Sequence, residues 1–527
     1  MKSDKTTPSL GSGRTEKPHV GRTFTRRRFI AKALGWLGVV GLSGLVGYEL
    51  PRGSKSSGGV QPDYEEISQI RTFVSRPDLR PPVVKITSLL GGKNSTANFL
   101  QPRFIFVSPR TISKDLSQPG LMILDRQGRM VWFNPILTES PFDFDAQDYR
   151  GHPRLTWWQG QIVSGHGIGV GGLADDTYET VDTVRAGAGL KMDCHELVLT
   201  SKGTALITAY EETTTDLSAL GGARNAKVWS GHAQEIDLAT GKVLLDWSSL
   251  DHVGVEESYA AIPSSKNVGY DYFHINSVSE ASDGNLLIAA RNTWAIYKIH
   301  RSSGHIIWRM NGKKSDFTMG PGAGFYWQHD AGMPRPATLT VFDDGAFPSE
   351  EKQSRALVLS VDTEAMHVSL DHAYVHPAGF IAANQGSVQL LADGRVFVGW
   401  GNQPYFSEFA PDGTLLLDGE FPSPVRSYRA FTRDWVGRPT EPPSIAVRTN
   451  AAGGAIVYVS WNGATEIDSW TILAGKDRSS LRAIGSQEWT GFETAAVVNS
   501  TGSHFAAVAI DNAGKEIGRS ATVKLNG

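Results

Sequence analysis

One cysteine, Cys194, stands among 527 residues, so no intramolecular disulfide can form and any staple must come from packing. Common catalytic signatures are missing as well. His195-Glu196 has no second histidine at zincin spacing, which argues against a metalloprotease. The glycine-rich SGHGIGVGG (164–172) carries no Lys-Ser/Thr and opens no helix, which removes the phosphate-loop reading, and no Gly-x-Ser-x-Gly elbow occurs. Cys194 and His195 are chain neighbours and would point to opposite faces of a strand, so that pair is not expected to form a thiol–imidazole dyad. A basic face is also lacking. Residues 1–60 hold 11 Lys+Arg against 3 Asp+Glu, and the remainder holds 40 against 51, so the body is mildly acidic. That disfavours nucleic acid as a partner.

The N-terminus supplies the longest apolar run, and it is short. Thr25-Arg26-Arg27, one spacer, then Phe29-Ile30 resembles a twin-arginine export signal. From Ala33 to Tyr48 there are 16 uncharged residues, fewer than the ~20 a spanning helix needs. No clear Ala-x-Ala site follows, so the segment is expected either as an export signal read by the twin-arginine machinery or as an uncleaved N-terminal membrane anchor. The Gly/Ser-rich stretch Pro51–Asp63 reads as a flexible tether.

The body repeats one device. Strand, tight Gly turn and strand recur in ILDRQGRMVWF (123–133), LVLTSKGTALITAY (197–210) and EIDLATGKVLLDW (235–247). The same device returns in VSEASDGNLLIAA (278–290), YKIHRSSGHIIWRM (297–310), VQLLADGRVFVGW (388–400) and SEFAPDGTLLLDG (407–419). Glycine sits where a hairpin turn demands positive φ, and apolar/polar alternation flanks it. Helical periodicity is nearly absent. Tandem hairpins with recurring Gly and Trp predict an all-β chain with a β-propeller of six to eight blades, six being favoured by the longer loops; a large sandwich is the structural alternative. After the Pro-rich RPTEPPS (438–444), alternating strands with Trp461 and Trp470 as core anchors predict a small C-terminal immunoglobulin- or fibronectin-like β-sandwich. The expected domains are 1–60 (signal or anchor plus linker), 61–437 (propeller) and 438–527 (sandwich).

The chemistry-bearing residues outside the hairpin cores are His195, His274, His329, His376 and Arg291. In a propeller such positions converge on a central channel. Each alone is also consistent with a satisfied histidine or a structural arginine bridge, and His372/His376 share one face in DHAYVHP, so a metal site stays open.

Several of these stretches are similar to the arylsulfotransferase family. They are HELVLTSKGTALITAY (195–210), QEIDLATGKVLLDW (234–247), the run 271–317 from DYFHINSV to KKSDF, WQHDAG (327–332) and VGWGNQPYFSEF (398–409). The resemblance covers about Thr156 to Arg438 and is strongest to the actinobacterial and fungal branch. It implies a six-bladed propeller that moves a sulfuryl group from a phenolic sulfate ester to a phenolic acceptor. It also implies that neither phosphoadenosine phosphosulfate, another cofactor nor a metal is needed. Carried over motif by motif, His329 is the nucleophile that becomes sulfated, His274 and Arg291 bind the sulfuryl oxygens, and His195 completes the channel as acid/base or oxygen donor. The enteric enzymes of the family differ in having a disulfide and an N-terminal sandwich. Two other functions stay open: a non-catalytic cell-surface propeller that binds an anionic or aromatic ligand, and a metal- or quinone-dependent propeller enzyme. Tyr272, Phe273, Phe325, Tyr326 and Trp327 are candidates to stack on a phenol ring or to form wall packing.

Overall fold

A computed structural model describes residues 70–88, 103–111, 117–450, 453–500 and 502–525. The twin-arginine-like segment and the tether lie outside the described residues. Among those described, regular structure is strand plus one-turn 3₁₀ segments, and no helix is long and apolar enough to cross a membrane.

All seven hairpins read from the sequence are present as antiparallel pairs. Their turn glycines, Gly128, Gly203, Gly241, Gly284, Gly304, Gly394 and Gly413, have φ between 69° and 89°. An L-residue with a Cβ would be strained there. The local code is therefore followed turn by turn.

The hairpins assemble into consecutive sheets. Phe104–Arg110, Gly120–Asp125 and Met130–Pro135 share a sheet with the much later strand Arg426–Arg433. An eight-stranded sheet follows from Ser140–Tyr149 to Val243–Ser248, its two halves joined by a single ladder contact, Gly169 to Met192. Next comes a four-stranded sheet from Ile275–Glu280 to Ile306–Met310, then the sheet of His329–Arg335, Thr338–Asp343, Arg355–Asp362 and His367–Tyr374 with the short Thr318–Met319 at its edge. The strands Ser387–Leu390 to Leu415–Glu420 form another, with Lys85–Ser88 at its edge. The first and last parts of the series thus meet in one sheet through Phe104–Arg110 and Arg426–Arg433.

Apolar faces fill the space between sheets, with Trp158, Trp247 and Trp400 fully buried among them. Each such side chain contributes roughly 1.5–3 kcal/mol by leaving water, which favours sheet-on-sheet contact over exposed faces. Beyond Pro443, strands of two further sheets enclose Val457, Val459, Trp470, Ile472, Phe505 and Ala507. Trp470 is an interior anchor as expected. Trp461 is only partly buried and instead donates its indole N–H to the Glu441 carbonyl (2.6 Å) at the border of this core. Asn462 ties the region to strand Met130–Pro135 by bonding both the N–H and the C=O of Phe133 (2.9 and 3.0 Å).

Candidate functional site

His195 lies inside strand Lys191–Leu199, whereas His274 immediately precedes Ile275–Glu280 and His329 opens His329–Arg335. They come from three different sheets, and all three meet. The His195 ring centroid is 5.0 Å from that of His274 and 6.3 Å from that of His329, and one ring nitrogen of each lies within 4.8 Å of the others. Arg291 occupies a 3₁₀ turn after Leu286–Ala290, where its backbone N–H donates to the His274 carbonyl (2.9 Å). The SDGN turn therefore does return Arg291 to His274.

A carboxylate orients each ring. Asp193 Oδ2 lies 2.5 Å from His195 Nδ1, Asp344 Oδ2 lies 2.7 Å from His329 Nδ1, and Asp271 Oδ2 bonds His274 Nδ1. Asp271 also meets Nε2 of His166 (3.1 Å), a fourth histidine whose ring packs on Tyr210 and Trp229. The backbone N–H of Gln385 points at His329 Nε2 (3.3 Å). By that bond, Nε2 carries the lone pair and Nδ1–H donates to Asp344, a tautomer assigned from the hydrogen-bond network.

Electrostatics keep His329 neutral. Burial comes first, then the charges of Arg291 and the neighbouring histidines, and together they hold its pKa well below 6.5. Burial also lowers His274, and it raises Asp344 despite Arg291. Burial opposes charge on His166 too, but Asp271 outweighs it and raises that pKa. Asp193 is disfavoured by burial, yet His195 and the Gly167 N–H bring it down to about 2. The result is a neutral nucleophile-type imidazole near carboxylates, Asp193 and Asp271, whose histidine partners favour their ionised form.

Arg291 has no carboxylate within 4 Å among the described residues. Its guanidinium lies over the Trp327 ring (4.8 Å) and donates to Asn292 Oδ1 and to the Ala346 and Ala383 carbonyls (3.1, 3.4 and 3.2 Å). The structural-bridge role for this arginine is absent. A cation held only by neutral acceptors is available to an anion, and its planar fork suits bidentate oxygen contacts.

The remaining candidates separate. His376 packs against Phe380, Tyr405 and Trp400, with Nε2 at 3.3 Å from Asp418, away from the other three rings. His372 packs at a tilt against Tyr374, and among the described residues no metal-type cluster includes His372 or His376. Tyr272, Phe273 and Phe325 are wall packing rather than ring platforms, because each is fully buried in a sheet core. Trp327 is also buried, but serves Arg291. Cys194 Sγ comes to 3.8 Å from His195 Nδ1, nearer than strand alternation suggests. Asp193 holds that nitrogen, and burial pushes the thiol well up, so no thiolate pair results.

Sequence reasoning missed His166, the three aspartates and Gln385. Asp193 and Asp271 stand two and three residues before their histidines, a local signal. Asp344 follows His329 by 15 residues across a hairpin and gave none. SGHGIGVGG has a packing role: a Cβ on Gly167 would lie 2.4 Å from the Cys194 nitrogen, so glycine lets the His166 strand press against the His195 strand.

A second polar layer lies one residue along the same strands. A cavity of about 200 Å³ is lined by Asp143, Asp145, Glu196, Asp330, Arg429 and Arg433, among others. Buried Arg429 donates to Asp143 (2.9 Å), to both oxygens of Glu196 (2.7 and 3.1 Å) and to the Asn276 carbonyl (3.3 Å), with Asp330 at 3.6 Å. Burial raises Glu196 to about 8 and Asp143 to about 6 even so.

Among solved structures, a protein of unknown function from Bacteroides caccae is 11% identical (TM-score 0.38; 63% of this chain, 98% of that one). TolB from Acinetobacter baumannii is 12% identical (TM-score 0.37; 62% and 66%). The Cps50 (Swd1) β-propeller domain of Myceliophteria thermophila is 11% identical (TM-score 0.31; 61% and 98%). No curated protein matches the chain. A family model does match, over residues 145–422, a span that contains His195, His274, Arg291 and His329 together with Asp193, Asp271 and Asp344. On that match across more than half its length, the chain belongs to the arylsulfotransferase (ASST) family.

Proposed function

We propose that the chain is an exported aryl-sulfate sulfotransferase that works through a sulfohistidine, without phosphoadenosine phosphosulfate. One observation carries this reading. Three aspartate-oriented histidines cluster beside an arginine that has no carboxylate partner among the described residues, and the most strongly neutral of the histidines presents a lone pair there.

Sulfuryl transfer, like phosphoryl transfer, spreads charge over peripheral oxygens, so positioning and electrostatic stabilisation dominate. His329 Nε2 attacks sulfur, forming the N–S bond as the S–O bond to the donor phenol breaks. Arg291 and His274 hold the sulfuryl oxygens, and the Gln385 N–H passes from Nε2 to an oxygen. His195 serves as the acid that gives a proton to the departing phenolate, then takes the proton of the acceptor phenol as that oxygen attacks sulfur and His329 leaves. The two displacements predict ping-pong kinetics.

The sheet series supports a six-bladed propeller over 61–437, the eight-stranded sheet counting as two blades and Arg426–Arg433 completing the first. Residues 438–527 are read as a β-sandwich, and 1–60 as a twin-arginine signal or membrane anchor plus linker. Mass spectrometry of protein quenched with 4-nitrophenyl sulfate tests the mechanism: one added SO₃ on His329 is expected. Turnover with no histidine adduct, or no turnover with several donors, would overturn it.

A metal-dependent enzyme is favoured by one feature, the carboxylate–histidine pairing of all three rings, which also occurs around bound zinc. Arg291 beside the rings weighs toward an anion. Elemental analysis of purified protein separates the two.

A further inference from the structure

Arg110 and Arg426 sit directly opposite each other in the antiparallel pair of Phe104–Arg110 with Arg426–Arg433. Like charges at such positions repel, because opposed side chains share a face at roughly 5 Å. Neither has a carboxylate within 4 Å among the described residues, in contrast to Arg126, Arg301, Arg355, Arg395 and Arg429. Among the described residues Arg110 Nε is buried without a hydrogen-bond partner, and its guanidinium lies over the Phe142 ring (3.9 Å). Burial first, and Arg426 second, pull the Arg110 pKa down to about 10, so an anion there would relieve both.

The pair adjoins the histidines. Arg110 Nη2 donates to Gln385 Oε1 (2.7 Å), and the N–H of the same Gln385 points at His329 Nε2 (3.3 Å). Gln385 has φ of 70°, a left-handed value that a non-glycine residue holds only where its surroundings fix it. A single residue thus separates the unpaired guanidinium from the atom at which sulfur would be transferred. Both arginines lie outside residues 145–422, so the family match does not describe them.

We propose that Arg110 and Arg426 form a second oxyanion subsite, and that the preferred phenolic substrates carry a carboxylate on the aromatic ring. The inference rests on the sulfotransferase reading for its reaction, but not for its binding step. Two guanidinium forks face one carboxylate, the phenolic oxygen is turned to His329, and the ring lies between them.

Acceptor kinetics with 4-nitrophenyl sulfate as donor test this, comparing phenol with 4-hydroxybenzoate. Wild type is expected to favour 4-hydroxybenzoate by tenfold or more in kcat/KM at low salt. Salt should weaken the preference only modestly, because buried charge pairs are screened much less than exposed ones. In Arg110→Gln and in Arg426→Gln the ratio should fall severalfold toward one. A wild-type ratio near one, or a ratio unchanged in both variants, overturns the proposal. Arg426→Lys, which keeps the charge and loses the fork, guards against misfolding and should give an intermediate ratio. Calorimetric titration of 4-hydroxybenzoate into His329→Ala protein separates this idea from the transfer mechanism. Binding there that is lost on adding Arg426→Gln supports the subsite even if no turnover is ever found. Absence of binding, with transfer intact in wild type, defeats the subsite alone.

Discussion

Arg291 and Arg429 face neighbouring layers of the same interior and are used in opposite ways. Arg429 is clasped by Asp143 and Glu196, with Asp330 close by, and so joins two other sheets to its own strand. Arg291 is surrounded by carbonyls, an amide and an indole ring. The carboxylates near Arg291 are already committed to histidines. The chain places His195 beside Glu196 and His329 beside Asp330, so adjacent residues serve the two layers. A paired guanidinium holds the fold, whereas an unpaired one waits for an anion.

That contrast can be broken most sharply at the histidine layer. His329→Ala is expected to lose on the order of 10³-fold or more in kcat, as removal of a nucleophile does, with no SO₃ adduct by mass spectrometry. A variant that still turns over at near wild-type rate would remove the nucleophile from His329. Next, Arg291→Met and Arg429→Met should separate. Arg291→Met should lower kcat/KM about 10²-fold with a smaller loss of stability than Arg429→Met, because it strands neutral acceptors and charge developing in transfer but no paired carboxylate. Arg429→Met should cost about 3–5 kcal/mol of stability by urea unfolding, since it strands two buried carboxylates. If both variants lose stability equally, the proposed division of labour is wrong.

Asp344→Asn is expected to reduce kcat by roughly 10²-fold or more, as loss of a histidine's orienting carboxylate does, without unfolding the chain. The pH profile is subtler. Because the His329 pKa is lowered in the fold, the lone pair survives as pH falls through 6.5, and the acid limb of kcat/KM should lie below that value. A limb centred at or above 6.5 contradicts this. Smallest of all, His376→Ala should leave transfer kinetics at wild-type values, since that ring pairs with Asp418 outside the chamber.

The same contrast explains what was legible in the residues. Hairpins could be read because a Gly-centred turn is a local instruction, written within about six residues and obeyed at all seven sites. His195, His274, His329 and Arg291 could be named because their motifs are local too. Their company could not. Arg110 meets Gln385 across 275 residues, and Arg429 meets Glu196 across 233, separations at which pattern carries no pairing information. Tyr272, Phe273 and Phe325 were open between ring platform and wall packing, and the loops just before Ile275–Glu280 and His329–Arg335 bury them in the cores between sheets.

The strand Arg426–Arg433 has a consequence for how the molecule is made. It is the last of the series to leave the ribosome, and its pairing with Phe104–Arg110 joins strands far apart in sequence, a contact that a folding chain reaches late and slowly. Yet Tyr428 on this strand donates its hydroxyl to the His195 carbonyl (3.0 Å), and Arg429 secures the neighbouring Glu196. The chamber therefore cannot be set before the circle is shut. The proposed transfer activity would then report on completed synthesis: a nascent or truncated chain that stops short of residue 426 carries His195, His274 and His329 and still lacks the frame that aims them.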